Sequence, residues 1–128
     1  DVRPFGLTGR QAESALRECG MTLNRNALPF DVNGSWYTSG LRLGTPAVTT
    51  LGMGPDEMKE IASIIRLVLS HVEPDDSESE AGPEKSRAKY RFVGDAGDKA
   101  KERVASLLSG FRLYPSLEED LLRQIVGL

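Results

Sequence analysis

One cysteine, Cys19, and one histidine, His71, are all that the 128 residues hold of the two most versatile ligating and nucleophilic side chains. A single thiol closes no internal disulfide, and one thiol with one imidazole builds no metal cluster. No Ser/His/Asp or Cys/His set can be assembled, because neither residue has a motif around it. The phosphate-cradling patterns G-x-G-x-x-G and G-K-[ST] are also missing. No apolar run approaches the ~18 residues of a membrane span. The formal charge of −3, with basic residues scattered along the chain, argues against a general nucleic-acid binder. Taken alone, the chain has no convincing catalytic apparatus.

What is present is ordinary for a soluble globular protein, with 39% apolar and 27% charged residues. The length predicts a single domain over residues 1–128 with one modest core. The lone cysteine predicts a small structural side chain, half-buried near a helix end, in a reducing, cytoplasmic setting. The opening Asp1-Val2-Arg3-Pro4 has neither an initiator Met nor a signal-peptide pattern. It reads as the tail of a strand running into a turn, so the sequence is expected to begin in mid-structure, as part of something longer.

Thr8-Gly9-Arg10-Gln11 has the form of a capping box. Ala12, Ala15, Leu16 and Cys19 follow at helical spacing and Gly20 is a stop, which predicts a helix over about 9–19. From Met21 to Thr50 short apolar pieces alternate with Asn, Pro, Gly and Ser. These predict short strands and irregular connections, among them Leu28-Pro29-Phe30, Trp36-Tyr37 and Leu41-Arg42-Leu43. Gly54-Pro55-Asp56-Glu57 opens a second helix, and Met58, Ile61, Ile64, Ile65, Val68 and Leu69 give it an apolar stripe to about Ser70. His71 falls at its C-terminal end, where the dipole favours a cation.

Residues 73–88 predict a solvated acidic and polar loop within the domain. The basic residues Lys85, Arg87, Lys89 and Arg91 come next to it and are expected to balance its charge, with a phosphate or nucleic-acid patch as the other reading. A third helix is expected over about 95–110, with Ala100, Val104, Leu107 and Leu108 inward. A final one is capped by Ser116 and striped by Leu117, Leu121, Leu122 and Ile125. The sum is α+β, a small antiparallel sheet with helices packed on one face.

The chemistry concentrates in Tyr37-Thr38-Ser39-Gly40-Leu41-Arg42-Leu43-Gly44-Thr45-Pro46. Alternation places Leu41 and Leu43 on one face and Arg42 on the other. The guanidinium fork matches a carboxylate bidentately, and the flanking Gly40 and Gly44 allow a ligand or another backbone to come close. Capture of a substrate carboxylate and a structural ion pair both fit this spacing, which does not separate them.

Two stretches resemble serine hydroxymethyltransferase. Thr22-Leu23-Asn24-Arg25-Asn26-Ala27-Leu28-Pro29-Phe30-Asp31 is similar to that family's T-V-N-K-N-x-x-P-x-D. Trp36-Tyr37-Thr38-Ser39-Gly40-Leu41-Arg42-Leu43-Gly44-Thr45-Pro46-Ala47 is similar to its V-T-S-G-[IL]-R-[IVL]-G-T-P-A. Asp1 to Gly9 and Leu113-Tyr114-Pro115 extend the likeness to both ends. The resemblance implies the C-terminal small domain of a fold-type I pyridoxal-phosphate enzyme. That enzyme interconverts serine and glycine, with tetrahydrofolate as one-carbon acceptor. It implies that Arg42 binds the substrate carboxylate and that Asn26 and Trp36 lie at the folate site. It implies partners as well: the enzyme's own N-terminal large domain, and a homodimer or homotetramer. The cofactor lysine and its T-T-T-T-H-K context belong to the large domain, and none of Lys59, Lys85, Lys89, Lys99 or Lys101 has such a context. The fragment alone is therefore expected to be inactive. Leu51 stands where the family usually has Arg. The alternatives are a free-standing module binding an amino acid, folate or a protein, and the small domain of another enzyme of the same fold type.

Overall fold

The structure is a computed structural model, which describes residues 1–75, 86–113 and 123–125. Helix α1 spans Gly9–Glu18 and α4 spans Pro55–Ser70, with the short helices α2 (Gly34–Tyr37) and α3 (Pro46–Thr50) between them. Helix α5 covers Ala96–Ser109. The strands are β1 (Asn24–Asn26), β2 (Gly40–Arg42), β3 (Val72–Pro74) and β4 (Tyr90–Phe92). They form two separate antiparallel ribbons, β1 with β2 and β3 with β4. The class is α+β, and the single small sheet of the sequence reading is divided in two.

The capping box at the start of α1 forms as its spacing requires. The Thr8 hydroxyl accepts the Gln11 amide at 3.2 Å and the Gln11 side-chain oxygen accepts the Thr8 amide at 2.9 Å. Both side chains do more than cap. Thr8 donates its hydroxyl proton to the Arg87 carbonyl at 2.8 Å, and the Gln11 amide donates to the carbonyls of Ser86 and Lys89 at 2.6 and 2.9 Å. The cap thus fastens the approach to β4 onto α1, which explains why Gln11 is buried.

The core lies between α1, α4 and α5, with the ribbons flanking α1. Ala12, Ala15, Leu16 and Cys19 of the first helix meet Ile64, Val68 and Leu69 of the fourth, with Val2, Leu7, Val72 and Ala100 completing the cluster. Small residues along α1 let α4 come close. Cys19 is fully buried and not half-buried. Burial pushes its thiol pKa up, which marks a packing residue and not a nucleophile. Gly97 permits the last close approach, since a Cβ there would stand 3.1 Å from the Phe92 ring.

Several local expectations are corrected. Arg3–Phe5 is one turn of 3-10 helix and no strand runs through it: Pro4 suits a first helical turn, and Gly6 at φ 72 ends it. Only Val2 behaves like a strand residue, donating its amide to the Ser39 carbonyl at 2.9 Å. Trp36 and Tyr37 lie in α2, whose turn is closed by the Thr38 amide on the Gly34 carbonyl at 3.0 Å. Glu73 and Pro74 belong to β3, where Glu73 meets Arg91 at 2.7 Å, as charge balance predicts; residues 76–85 lie outside the described residues. Leu108 is 46% exposed on α5 and not turned inward. His71 ends α4, its Nδ1 2.9 Å from the Leu67 carbonyl. Of the expected final helix, only 123–125 is described, as helix with Ile125 exposed; Ser116, Leu117, Leu121 and Leu122 lie outside the described residues. No described helix is long and apolar enough to cross a membrane.

Candidate functional site

Ribbon β1–β2 carries the residues singled out by the sequence. Its register pairs Asn24 with Arg42, Arg25 with Leu41 and Asn26 with Gly40. Side chains alternate across a strand, so Asn24, Asn26 and Arg42 share one face and Arg25 and Leu41 the other. Arg25 and Leu41 face the helices: Leu41 packs on the core, and Arg25 donates to Glu13 of α1 at 2.6 Å. Arg42 and Asn26 are left facing outward as a diagonal cross-strand pair, a spacing of about 7–8 Å in such ladders.

Arg42 is exposed, and its Nε donates to the Asn24 side-chain oxygen at 3.2 Å. Among the described residues it has no carboxylate partner, although Arg3, Arg25, Arg91 and Arg103 all have one. Asn24 therefore steers the guanidinium from its inner nitrogen and leaves both terminal nitrogens open. The structural ion pair loses ground here. A fork held from behind with its tines unpaired is the arrangement that receives a carboxylate end-on. Asn26 is also exposed, and its side-chain amide donates to the Ala27 carbonyl at 2.9 Å, which leaves its oxygen outward.

Trp36 is not brought to this face. It is 61% exposed on α2, with the Arg10 guanidinium 5.2 Å and the Arg25 guanidinium 5.9 Å from its ring centre. Arg25 belongs to the opposite alternation from Arg42, so Trp36 lies around the edge of the ribbon from the Arg42–Asn26 pair. Beside it, Arg87 covers Tyr37 at 4.5 Å and donates to the Asn33 side-chain oxygen at 2.8 Å.

Two residues matter to the site without having been singled out. Asp31, at the end of the first motif, gathers four donors. Its Oδ1 accepts the Ser39 hydroxyl at 2.6 Å and the Asn33 amide at 2.9 Å, and its Oδ2 accepts the Ser39 amide at 2.7 Å and the Leu28 amide at 3.0 Å. These bonds, the Ser39 hydroxyl first, hold its carboxyl down at about 2 against the opposing effect of burial. Thr38 is the other. It sits at φ 57, ψ 173, a region nearly reserved for glycine, with its hydroxyl buried and unpartnered among the described residues. Such a conformation costs on the order of 1–3 kcal/mol and persists only where its surroundings over-determine it. They do so here. The Thr38 amide reaches Gly34, its carbonyl accepts the Gly9 amide at 2.9 Å, and Ser39 is gripped by Val2 and Asp31. Gly9 is required at that contact, because a Cβ there would collide with the Thr38 hydroxyl and stand 2.8 Å from the Gly40 carbonyl. The Asx-type pattern around Asp31 was the one signal in the sequence; nothing local betrays the conformation of Thr38.

A cavity of about 420 Å³ lies elsewhere. Leu43, one step beyond Arg42 and on the opposite alternation, lines it with Met21, Leu23, Val48, Ile61 and Leu107. The lining includes no titratable side chain, so this hollow offers no seat for a phosphate or an amine-linked cofactor. None of the described lysines lines it: Lys59 pairs with Asp56, Lys99 with Asp95 and Lys101 with Glu18, and Lys89 is exposed. Glu18 also accepts the Tyr90 hydroxyl at 2.7 Å, which lowers its pKa and, after burial, helps raise that of Tyr90. That cluster ties α1 to β4. Among the described residues no group of His, Cys, Asp or Glu could hold a metal ion.

A sequence profile described as serine hydroxymethyltransferase matches residues 1–65. The chain is 55% identical to the serine hydroxymethyltransferase of Treponema pallidum (strain Nichols) over 123 residues, 96% of this chain and 21% of that protein. It is 48% identical over 118 residues to the enzyme of that name from Salinispora tropica, covering 92% and 24%. For Mycolicibacterium smegmatis the figures are 45% over 117 residues, covering 91% and 22%. The chain spans about a fifth to a quarter of the length of these curated relatives and matches their C-terminal part.

Proposed function

Because the chain belongs to the serine hydroxymethyltransferase family, we propose that it is the C-terminal domain of a pyridoxal-phosphate-dependent enzyme that interconverts serine and glycine, with tetrahydrofolate as the one-carbon acceptor. In this reading Arg42 takes the α-carboxylate of the amino acid. The observation that carries it is a guanidinium with no carboxylate partner among the described residues, steered by Asn24 and turned away from the core beside Asn26. Two charge-assisted bonds from a fixed fork supply affinity. They also fix the rotation of the substrate about its Cα, which selects the bond to be broken. Asn26 contributes to the folate site from the same face. Trp36 contributes from the edge, its ring held by Arg10 and Arg25.

Pyridoxal phosphate would supply the electron sink. The cavity among the described residues does not fit it as a seat, since its lining is apolar and includes no lysine. The cofactor lysine and the ring-handling groups are accordingly assigned to an N-terminal large domain. The domain alone is inactive in this reading, and the whole enzyme is a cytoplasmic homodimer or homotetramer.

The test compares the full-length polypeptide with the isolated 128-residue segment. Conversion of serine to glycine in the presence of tetrahydrofolate is expected from the first and none from the second. A full-length protein that binds serine or folate without turning serine over would overturn the proposal and establish a binding module instead.

A further inference from the structure

The ribbon that presents Arg42 and Asn26 is only three residue pairs long, and a two-stranded ribbon of that size is marginal by itself. Its strands are joined by residues 27–39, far beyond the tight turns whose chemistry dictates register. Register matters acutely here, because a slip of one residue sends every side chain of a strand to the other face. Arg42 would then turn toward α1 and its Asn24 contact would be lost. Something other than a turn must hold the pairing.

Asp31 is placed to do so. Its Oδ2 binds the Leu28 amide, just after β1, and the Ser39 amide, just before β2. A single oxygen therefore ties the departing strand to the returning one. Its Oδ1 adds the Asn33 amide and the Ser39 hydroxyl, and that hydroxyl in turn accepts the Asn33 side-chain amide at 2.9 Å. Ser39 is fully buried, and its carbonyl takes the Val2 amide, so the clamp is anchored to the body of the domain.

We propose that Asp31, acting through Ser39, is the positioning residue that sets the β1–β2 register and thereby holds Arg42 and Asn26 on one face for substrate and folate. The inference rests on the roles given above to those two residues. Asp31 touches neither ligand; it acts only through the backbone it pins.

The decisive variant is Asp31→Asn in the full-length enzyme. The amide keeps shape and one oxygen, yet in either orientation turns an NH2 toward two of the four donors, at least one of them a backbone N–H that it cannot accept. Amide hydrogen exchange at Leu28, Asn33 and Ser39 is expected to quicken at least about tenfold while α4 and α5 stay protected. The KM values for serine and tetrahydrofolate are expected to rise together, roughly ten- to hundredfold, because a shift of ~1 Å in a binding group has effects of that size. The value of kcat should change much less. Ser39→Ala, which removes one of the four donors, should move all three readouts the same way and less far, and it serves if Asp31→Asn does not fold. Glu73→Gln, on the other ribbon, should leave both KM values alone.

A fall in kcat with unchanged KM values means fewer active molecules and a purely structural Asp31, which overturns the proposal. So does faster exchange with unaltered KM, or exchange that does not move. Absence of serine turnover in the unsubstituted enzyme would overturn the functional reading, and this inference with it, before any variant is made.

Discussion

Replacing Arg42 by Ala separates binding from folding more sharply than any other single change in this chain. In the structure the side chain is exposed and, among the described residues, makes one hydrogen bond, Nε to Asn24 at 3.2 Å. Surface changes of that kind alter stability by no more than about 0.5 kcal/mol. Against a bound carboxylate the same guanidinium would make two charge-assisted bonds of about 1.5–3 kcal/mol each. Their loss amounts to about 3–6 kcal/mol, or roughly two to four orders of magnitude in kcat/KM for serine at 1.36 kcal/mol per factor of ten. The assay is serine saturation of the full-length Arg42→Ala enzyme, run beside thermal unfolding. Arg42→Lys should recover only a minor part, since an ammonium keeps the charge but not the fork. Unchanged serine saturation would refute the carboxylate role. A large loss of thermal stability would refute the claim that Arg42 is free of structural duty.

Three further outcomes follow from the ground around Ser39. Gly9→Ala should destabilise the chain by about 1–3 kcal/mol, as overpacking does, although alanine is the better helix former; a higher urea midpoint would contradict the close approach to Thr38 and Gly40. Thr38→Gly should stabilise by about 1–3 kcal/mol. It relieves a glycine-like conformation and removes a buried unpaired hydroxyl, which together outweigh the entropy cost of glycine and the lost methyl contact; a lower urea midpoint would show that the hydroxyl has a partner in solution. Asp31 is depressed to about 2 from 3.8, so its contribution is complete above the unfolded value and lost as the pH falls through about 2. Urea midpoints taken from pH 5 to pH 2 should therefore converge for the parent and Asp31→Asn chains at the acid end, and a constant gap between them would argue against the clamp.

The parts legible in advance are those whose determinants are local. The Thr8–Gln11 capping box, the 3.6-residue stripe of Ile64, Val68 and Leu69, and the proline start of α4 all stand where the spacing put them, because caps and periodicity act within one or two turns of chain. The motif around Arg42 was equally plain, and it carried the family. Trp36 and Tyr37 were less so. Their aromatic, strand-like composition was outweighed by Gly34 at φ 68, which opens a helical turn closed by Thr38. Leu108 followed the helical period but stays 46% exposed at the rim of the apolar cavity, since an apolar stripe specifies a face and not what covers it.

By itself, then, the sequence determined the three long helices, the α+β class and the motif that singles out Arg42. Only the tertiary structure decided that Arg42 lacks an ion partner among the described residues, that it shares a face with Asn26, and that Asp31 closes the loop between the two strands. The reason is physical: caps and amphipathic stripes depend on neighbours a few residues away. The register of a three-pair ribbon depends on hydrogen bonds between Leu28, Asp31, Ser39 and Val2, which meet only after the chain has folded back on itself.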